Sequence, residues 1–464
     1  MIRNRFVKFA LMIAAVMTMA LQSQARPDID PLLEPYFSGI ETNEMVTVIA
    51  QMQDVQYIPY LSNSVWTYYD MRYALEQNAR QAQSRVYNAL KSGAESNNIP
   101  IKIESNWLAN VMIIELPGSM VKYLANFNEF VALIADRPME IVMPWDNGLI
   151  EPWMSLEAND YTYGLKKLQM PTLNEKMPNL NGEGVNVGII DTGIEPDHPD
   201  LLGRTIAFRD FVGSGQQAYD DQGHGTHVAG TIAGGFASGT QIGVAPKVKL
   251  TIAKVFDRRG GGTLSGILKS MEWIADPDGN PQTADAPALV SNSWGGGPSR
   301  SSQRPEQVPL CKAVMNWVKL GIFPVFAAGN SGSRSSTVGL PGGCPDAFAV
   351  GATDSGDNIA RFSSRGPAQW ATGNIVKPEI SAPGVNVTSS FIGKRWRSLS
   401  GTSMATPHVA GLAALVYQAA PGADISTVAE ALIRGVDDLG TDGQDNTFGW
   451  GRANALKTMA PALQ

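Results

Sequence analysis

Gly401-Thr402-Ser403-Met404-Ala405-Thr406-Pro407-His408-Val409-Ala410-Gly411 is the stretch from which the rest of the chain can be read. Val409, Leu412, Ala413 and Val416 recur at helical spacing, so a helix starts here and Ser403 falls in its first turn. Free backbone N–H groups and the helix dipole favour negative charge at that point, and an oxyanion formed beside Ser403 would be stabilised. Ser403 is therefore a candidate nucleophile, against the plain alternative of a capping serine. Pro407 is compatible with the helix, because a proline close to the start removes an N–H with little or no intrahelical partner.

The chain around this stretch has 464 residues, 44% hydrophobic and 17% charged, a globular composition with room for more than one domain. Its formal charge is −7 and no basic run follows the first few residues, which argues against nucleic acid as a partner. Arg3, Arg5 and Lys8 precede an apolar run over residues 9–21, then Ser23-Gln24-Ala25 puts small residues at the two positions a signal peptidase reads. Residues 1–25 read as a cleaved secretory signal whose apolar run is short for a membrane anchor, and no later segment suggests a membrane span. A secreted destination, extracellular or periplasmic, follows. Cys311 and Cys344 are the two cysteines; an even count in an exported chain is compatible with one disulfide and fits no zinc pattern, and whether they pair stays open.

Residues 43–141 read as a small α+β unit: a strand at 45–52, a helix at 68–92, extended chain at 101–116 broken near 106–110, a short helix at 117–127 and a strand at 131–135. That order is compatible with a ferredoxin-like fold, and it carries no catalytic constellation. Pro144, Pro152, Pro171 and Pro178 with little periodicity mark a linker and approach segment. From Gly182 onward, apolar runs at 185–190, 248–256, 288–292, 322–328 and 348–353 alternate with helical patterns at 224–233, 264–275, 308–320, 403–419 and 425–433. This is the pattern of an α/β domain, a doubly wound, mostly parallel sheet flanked by helices, in which ligands bind beyond the C-terminal ends of the strands. The chain thus divides into 1–25, 26–142, 143–180 and 181–464.

Asp191 follows the strand 185–190 directly and precedes Thr192-Gly193, where an ordinary turn former is the plain alternative. His224 opens a helix in Gly223-His224-Gly225-Thr226-His227-Val228-Ala229-Gly230. A serine hydroxyl is a weak nucleophile at neutral pH and needs an adjacent base whose protonated form is stabilised. His224 can take the Ser403 proton and return it to a leaving amine, while Asp191 fixes the tautomer and stabilises the imidazolium. His198, His227 and His408, the remaining histidines, are read as structural.

Asp191-Thr192-Gly193, His224-Gly225-Thr226-His227 and Gly401-Thr402-Ser403-Met404-Ala405-Thr406-Pro407 resemble the three active-site motifs of the subtilases, in that family's order Asp, His, Ser. The resemblance extends over about residues 160–458. Val290-Ser291-Asn292-Ser293-Trp294-Gly295, the run 322–330 and Gly449-Trp450-Gly451-Arg452 are similar to the bacillopeptidase F-type branch. The resemblance implies a subtilisin-like serine endopeptidase that hydrolyses polypeptides through an acyl-enzyme, with no cofactor for catalysis. It implies that the Asn330 amide completes an oxyanion hole with the backbone N–H of Ser403. Gly260, Gly261 and Gly262 match one edge that pairs with substrate backbone, and Ser293, Trp294 and Gly295 the other. Gly339 matches the floor of the S1 pocket and Leu264 a wall of S4, so a bulky apolar P1 and an apolar P4 are expected.

The same alignment puts Cys311 opposite the loop carrying Cys344, which favours a disulfide. Residues 43–141 resemble the inhibitor-type propeptide that helps the protease domain fold and blocks its cleft; self-processing would cut between about Met139 and Ala158. Structural calcium is expected from the family. Asp437, Asp438, Asp442 and Asp445 could supply oxygens, but Gly440, Gly443 and Asn446 read as a polar turn, so the ligands stay unassigned. A monomer is expected. Two alternatives on the same fold are a peptide ligase or cyclase and a catalytically silent binding scaffold.

Overall fold

The computed structural model describes residues 26–38, 42–58, 67–141, 145–150, 160–283, 285–299 and 302–463. They form two units, one running to Arg137 and taking in Glu306–Asn316, the other made of Pro138–Pro305 and the chain from Trp317 onward.

In the first unit, β1 (Met45–Met52) leads into α1 (Tyr68–Asn97), then β2 (Lys102–Asn106), β3 (Val111–Pro117), α2 (Val121–Leu124) and β4 (Phe130–Ala135). Four strands run β4-β1-β3-β2 with these neighbours antiparallel, the ferredoxin-like arrangement expected from the sequence, and the two-residue strand Asp28–Ile29 adds to the outer edge of β4 in parallel. Thr67 and Asp70 start α1 with a reciprocal capping box, and Asn98 ends it in the left-handed conformation. Ala82, Val86 and Leu90 on one face of α1 share a core with Val48, Ala50, Met112 and Ile114 of the sheet.

In the second unit, β5 (Pro138–Glu140), β6 (Trp145–Ile150), α3 (Tyr163–Lys167) and α4 (Met170–Lys176) precede the central strand β7 (Asn186–Asp191). There follow β8 (Thr205–Asp210), α5 (His224–Ala233), β9 (Lys249–Lys254), β10 (Gly261–Thr263), α6 (Leu264–Ile274) and β11 (Leu289–Asn292). After β12 (Phe323–Ala327), β13 (Phe348–Thr353) and β14 (Ile380–Pro383) come the hairpin β15 (Val387–Phe391) and β16 (Arg395–Ser400), then α7 (Thr402–Ala419) and α8 (Ile425–Arg434). Two short strands follow, β17 (Val436–Asp437) and β18 (Arg452–Ala453), and then a helical turn at Ala455–Thr458. The main sheet runs β8-β9-β7-β11-β12-β13-β14-β18-β17 and is parallel except for its last pair.

The chain leaves β7 for β8 and β9 on one side and comes back to β11 on the other. Strand order therefore reverses across β7, and a crevice forms beyond its C-terminal end, which is Asp191. Val187, Ile189 and Ile190 are fully buried, as a strand covered on both faces requires. Every residue of α5 is buried, as is α7 from Thr402 to Val416. Such helices are core elements rather than amphipathic covers.

Two expectations need correction. Residues 160–180 are not a plain linker: α3 and α4 form there, with Leu165, Leu168, Met170 and Leu173 in the main core. Pro171 lies in the first turn of α4, where a missing N–H costs nothing. Pro407, for its part, lies past the first turn of α7, which begins at Thr402. It therefore deletes one helical hydrogen bond, the one its N–H would give to the Ser403 carbonyl.

Candidate active site

Asp191 ends β7 and His224 opens α5, and the structure pairs them: His224 Nδ1 lies 2.8 Å from Asp191 Oδ1, with both side chains essentially sealed from solvent. The start of α5 is fully accounted for. Gly223 N donates to Asp220 Oδ1 (2.9 Å), His224 N to Gln222 Oε1 (2.8 Å), Gly225 N to Thr192 Oγ1 (2.8 Å) and Thr226 N to Asp220 Oδ2 (2.9 Å). All four N–H groups that the first turn leaves without helical partners are thus satisfied, so the helix end that carries His224 is held rigidly. Gly225 has to be glycine, because a Cβ there would stand 2.1 Å from Gly193 O in the turn after Asp191. Since His224 Nδ1 is engaged with the carboxylate, Nε2 is the nitrogen left to accept a proton, and it makes no hydrogen bond among the described residues.

Ser403 is the second residue of α7, which packs along α5. Its Oγ donates to Ser293 O (3.1 Å), and Ser293 Oγ donates to Ser403 O (2.9 Å). Asn330 follows β12 and its Oδ1 accepts from Thr402 N (3.0 Å) and Thr402 Oγ1 (2.9 Å). A backbone N–H can only donate, so the oxygen of the Asn330 amide must face Thr402, which fixes the other end of the amide as the donor. Thr402 N is taken by Asn330 and Met404 N by Gly401 O, and Ser403 N stands between them at the positive end of the helix.

The two edge segments are also brought together, and a strand lies on them. β5 pairs antiparallel with β10, Gly261 opposite Glu140 and Gly262 opposite Met139. Ile141 N donates to Gly260 O (3.0 Å), and Ile141 bridges antiparallel to Trp294. The edge at residues 293–295 acts through its backbone, for the Trp294 ring is buried against Phe256 and Phe326. Leu264 opens α6, nearly buried, behind the Thr263 cap. Gly339 pairs with the strand Gly296–Pro298, and a Cβ on it would press on Gly297 O at 3.2 Å. Neither cysteine is free: Cys311 and Cys344 are both disulfide-bonded.

The other histidines spend ring nitrogens on backbone. His227 Nε2 donates to Val387 O and Arg397 O, His408 Nδ1 to Met404 O and His198 Nε2 to Arg395 O. Burial pushes His227 down to about 3 and His408 down to about 4 from 6.5. Below pH 6.5 the unfolded chain takes up protons that these two rings refuse. The folded state should therefore lose about 1.4 kcal/mol per pH unit for each ring as pH falls. That loss should continue to about pH 4 for His408 and about pH 3 for His227. Urea unfolding of Ser403→Ala between pH 7 and 5 checks this; a flat stability profile would contradict the buried neutral rings.

Sequence reading missed Lys254, the last residue of β9. Its ammonium is 1% exposed and donates to Thr192 O (2.6 Å), Phe256 O (2.8 Å) and Asp221 Oδ1 (2.6 Å). One charge thus ties the turn after Asp191 to the loop before His224 and to the loop that leads to β10. A lysine set between apolar Ala253 and Val255 was the available signal. The acidic turn also resolves: Asp437 pairs with Arg452 and Lys457, while Asp445 accepts from Thr441, Thr447 and Phe448 N–H groups and Asp438 from Gly443 N. These carboxylates hold a loop together, as the polar-turn reading has it.

A doubly wound sheet with a buried Asp–His pair at its switch point, and a serine at the start of a buried helix beside it, defines a serine hydrolase of the subtilisin type. The comparisons agree: residues 182–451 match the Subtilase family, peptidase S8, and the chain belongs to that family. It is 41% identical to serine protease AprX of Bacillus subtilis (strain 168) over 304 residues, 60% of this chain and 67% of that one. It is 36% identical to bacillopeptidase F of the same organism over 418 residues, 83% of this chain but 28% of that larger protein. With subtilisin Savinase of Lederbergia lenta it shares 38% identity over 298 residues, 64% of this chain and 98% of that one. The chain is a subtilisin-like serine protease.

Proposed function

We propose that Asp191, His224 and Ser403 form the catalytic triad of a secreted endopeptidase that matures by cutting its own chain. The observation that carries this reading is the buried Asp191–His224 pair, whose Nε2 makes no hydrogen bond among the described residues, at the switch point beside the helix that carries Ser403. In the proposed cycle His224 Nε2 takes the Ser403 proton as Oγ attacks the carbonyl carbon of the scissile bond. Asn330 and Ser403 N receive the oxyanion, His224 protonates the departing amine, and a water activated the same way releases the acyl group. Asp191 keeps Nδ1 protonated throughout.

The substrate would enter as a strand between β10 and Trp294, as residues 138–141 do here. That strand supports reading the N-terminal ferredoxin-like unit as an inhibitory propeptide whose tail occupies the acyl side of the cleft. With Ile141 opposite Trp294, the self-cleaved bond would lie beyond Ile141 and before about Ala158; within that range residues 142–144 and 151–158 lie outside the described residues. So does the signal segment 1–25, on which secretion rests. No helix among the described residues is long and apolar enough to cross a membrane. Calcium belongs to the proposal as a structural ion: Asp276, Asp278 and Asp285 bring carboxylate oxygens within 4.8 Å of one another, a donor set of the hard-cation kind, and the ion would supply no catalytic chemistry.

The test is hydrolysis of internally quenched peptides. Those with bulky apolar P1 and apolar P4 should be cut with kcat/KM about ten- to a hundredfold above those with Asp at either position, and a fluorophosphonate should abolish cutting. Hydrolysis that is indifferent to P1 and P4, or that survives the inhibitor, would count against the reading.

A further inference from the structure

The carbonyl of Ser403 lacks the usual helical donor four places on, because that residue is Pro407, which has no N–H. A buried carbonyl left unpaired is costly. The missing bond comes from outside the helix, from the Ser293 hydroxyl at 2.9 Å, and both serines are fully buried. The exchange is reciprocal, since Ser403 Oγ donates to Ser293 O. Ser293 stands immediately after β11, at the head of the edge on which residue 141 is bridged. On the far side of the same helical turn, Asn330 grips Thr402 through N and Oγ1. The first turn of α7 is therefore clamped from two strands at once, and Pro407 is what makes its inner carbonyl available to one of them. Any other residue at position 407 would bring an N–H that closes the bond within the helix and makes the Ser293 hydroxyl dispensable to that carbonyl.

We propose that Ser293 is a positioning residue: its side-chain hydroxyl replaces the helical hydrogen bond that Pro407 deletes, and so locks Ser403 in register with the edge that binds the acyl-side backbone. This assigns a task to the side chain of a residue whose backbone alone had a role, and it rests on the reading of Ser403 as the nucleophile. The energy of such a bond acts on the alignment of Ser403 Oγ and N with the substrate carbonyl, which matters in the transition state, and leaves the backbone pairing of substrate on β10 and Trp294 untouched. Its loss should appear in kcat and spare KM.

A double-mutant cycle tests it with wild type, Ser293→Ala, Pro407→Ala and the double variant, read by steady-state kinetics on one peptide amide and by fluorophosphonate labelling. Ser293→Ala alone should lower kcat about ten- to a hundredfold with KM within about twofold. Pro407→Ala brings a loss of its own as the turn reshapes. On that background, removing the Ser293 hydroxyl should cost no more than about two- to threefold, since the restored N–H at position 407 now satisfies the Ser403 carbonyl. Equal losses in both backgrounds, a loss confined to KM, or no loss in kcat would overturn the inference. A Ser293→Ala chain that folds only together with Pro407→Ala supports it, and one that fails to fold in either background contradicts it. Wild type that takes up no fluorophosphonate would instead sink the nucleophile reading itself.

Discussion

Ser403→Ala should lower peptide-bond turnover about a million-fold, a magnitude carried over from subtilisin. The expectation follows from the geometry around one atom. His224 is paired on Nδ1 by Asp191, so its basicity is directed through Nε2, and without the Ser403 hydroxyl that nitrogen has no nucleophile to activate. The edges at Gly260–Gly262 and Trp294 remain, so substrate should still bind. Activity should collapse in kcat while peptide affinity holds, and the unprocessed chain should persist. Turnover within a hundredfold of wild type would mean that another group attacks the bond.

Asn330→Ala should lower kcat roughly a hundred- to a thousandfold, again a magnitude carried over from subtilisin, with KM nearly unchanged. The Asn330 amide has its oxygen committed to Thr402 N and Oγ1, so its orientation is set before substrate arrives. A donor fixed in advance costs no reorganisation when charge develops, which is why its removal should fall on the transition state. Asn330→Asp is the sharper variant: the carboxylate can still accept from Thr402 but has no donor for the oxyanion. It should lose at least as much as alanine. A large rise in KM instead would mean that Asn330 holds ground-state substrate.

The central strands were legible because a strand covered on both faces is largely apolar, and residues 187–190 of β7, 250–253 of β9, 289–290 of β11, 323–327 of β12 and 348–352 of β13 form such runs. α5 and α7 were legible because each begins at a glycine-flanked motif and continues as an unbroken buried run. β8 escaped because it is an edge strand in which Ile206 faces solvent, so its pattern carries no sustained period. β14 is four residues long and ends in Pro383, which reads as loop. The prolines of the approach segment masked α3 and α4 in the same way, although Leu165, Leu168 and Leu173 carried the signal of a buried face.

At the site, residue types revealed the chemistry but not the supports. Lys254 reaches Thr192 and Asp221 from a different strand, and Ser293 reaches Ser403 across 110 residues. Neither contact leaves a local pattern. Pro407 looked harmless beside a helix start; its consequence emerged only once the helix was seen to begin at Thr402.

Intact-mass analysis of wild type beside Ser403→Ala, each treated with a fluorophosphonate probe, tests the central claim most directly. The account predicts that wild type sheds the chain up to a bond beyond Ile141 and gains one probe on Ser403, while the variant keeps its full pro-length and gains none. Two full-length, unlabelled chains would contradict it, as would probe uptake by Ser403→Ala.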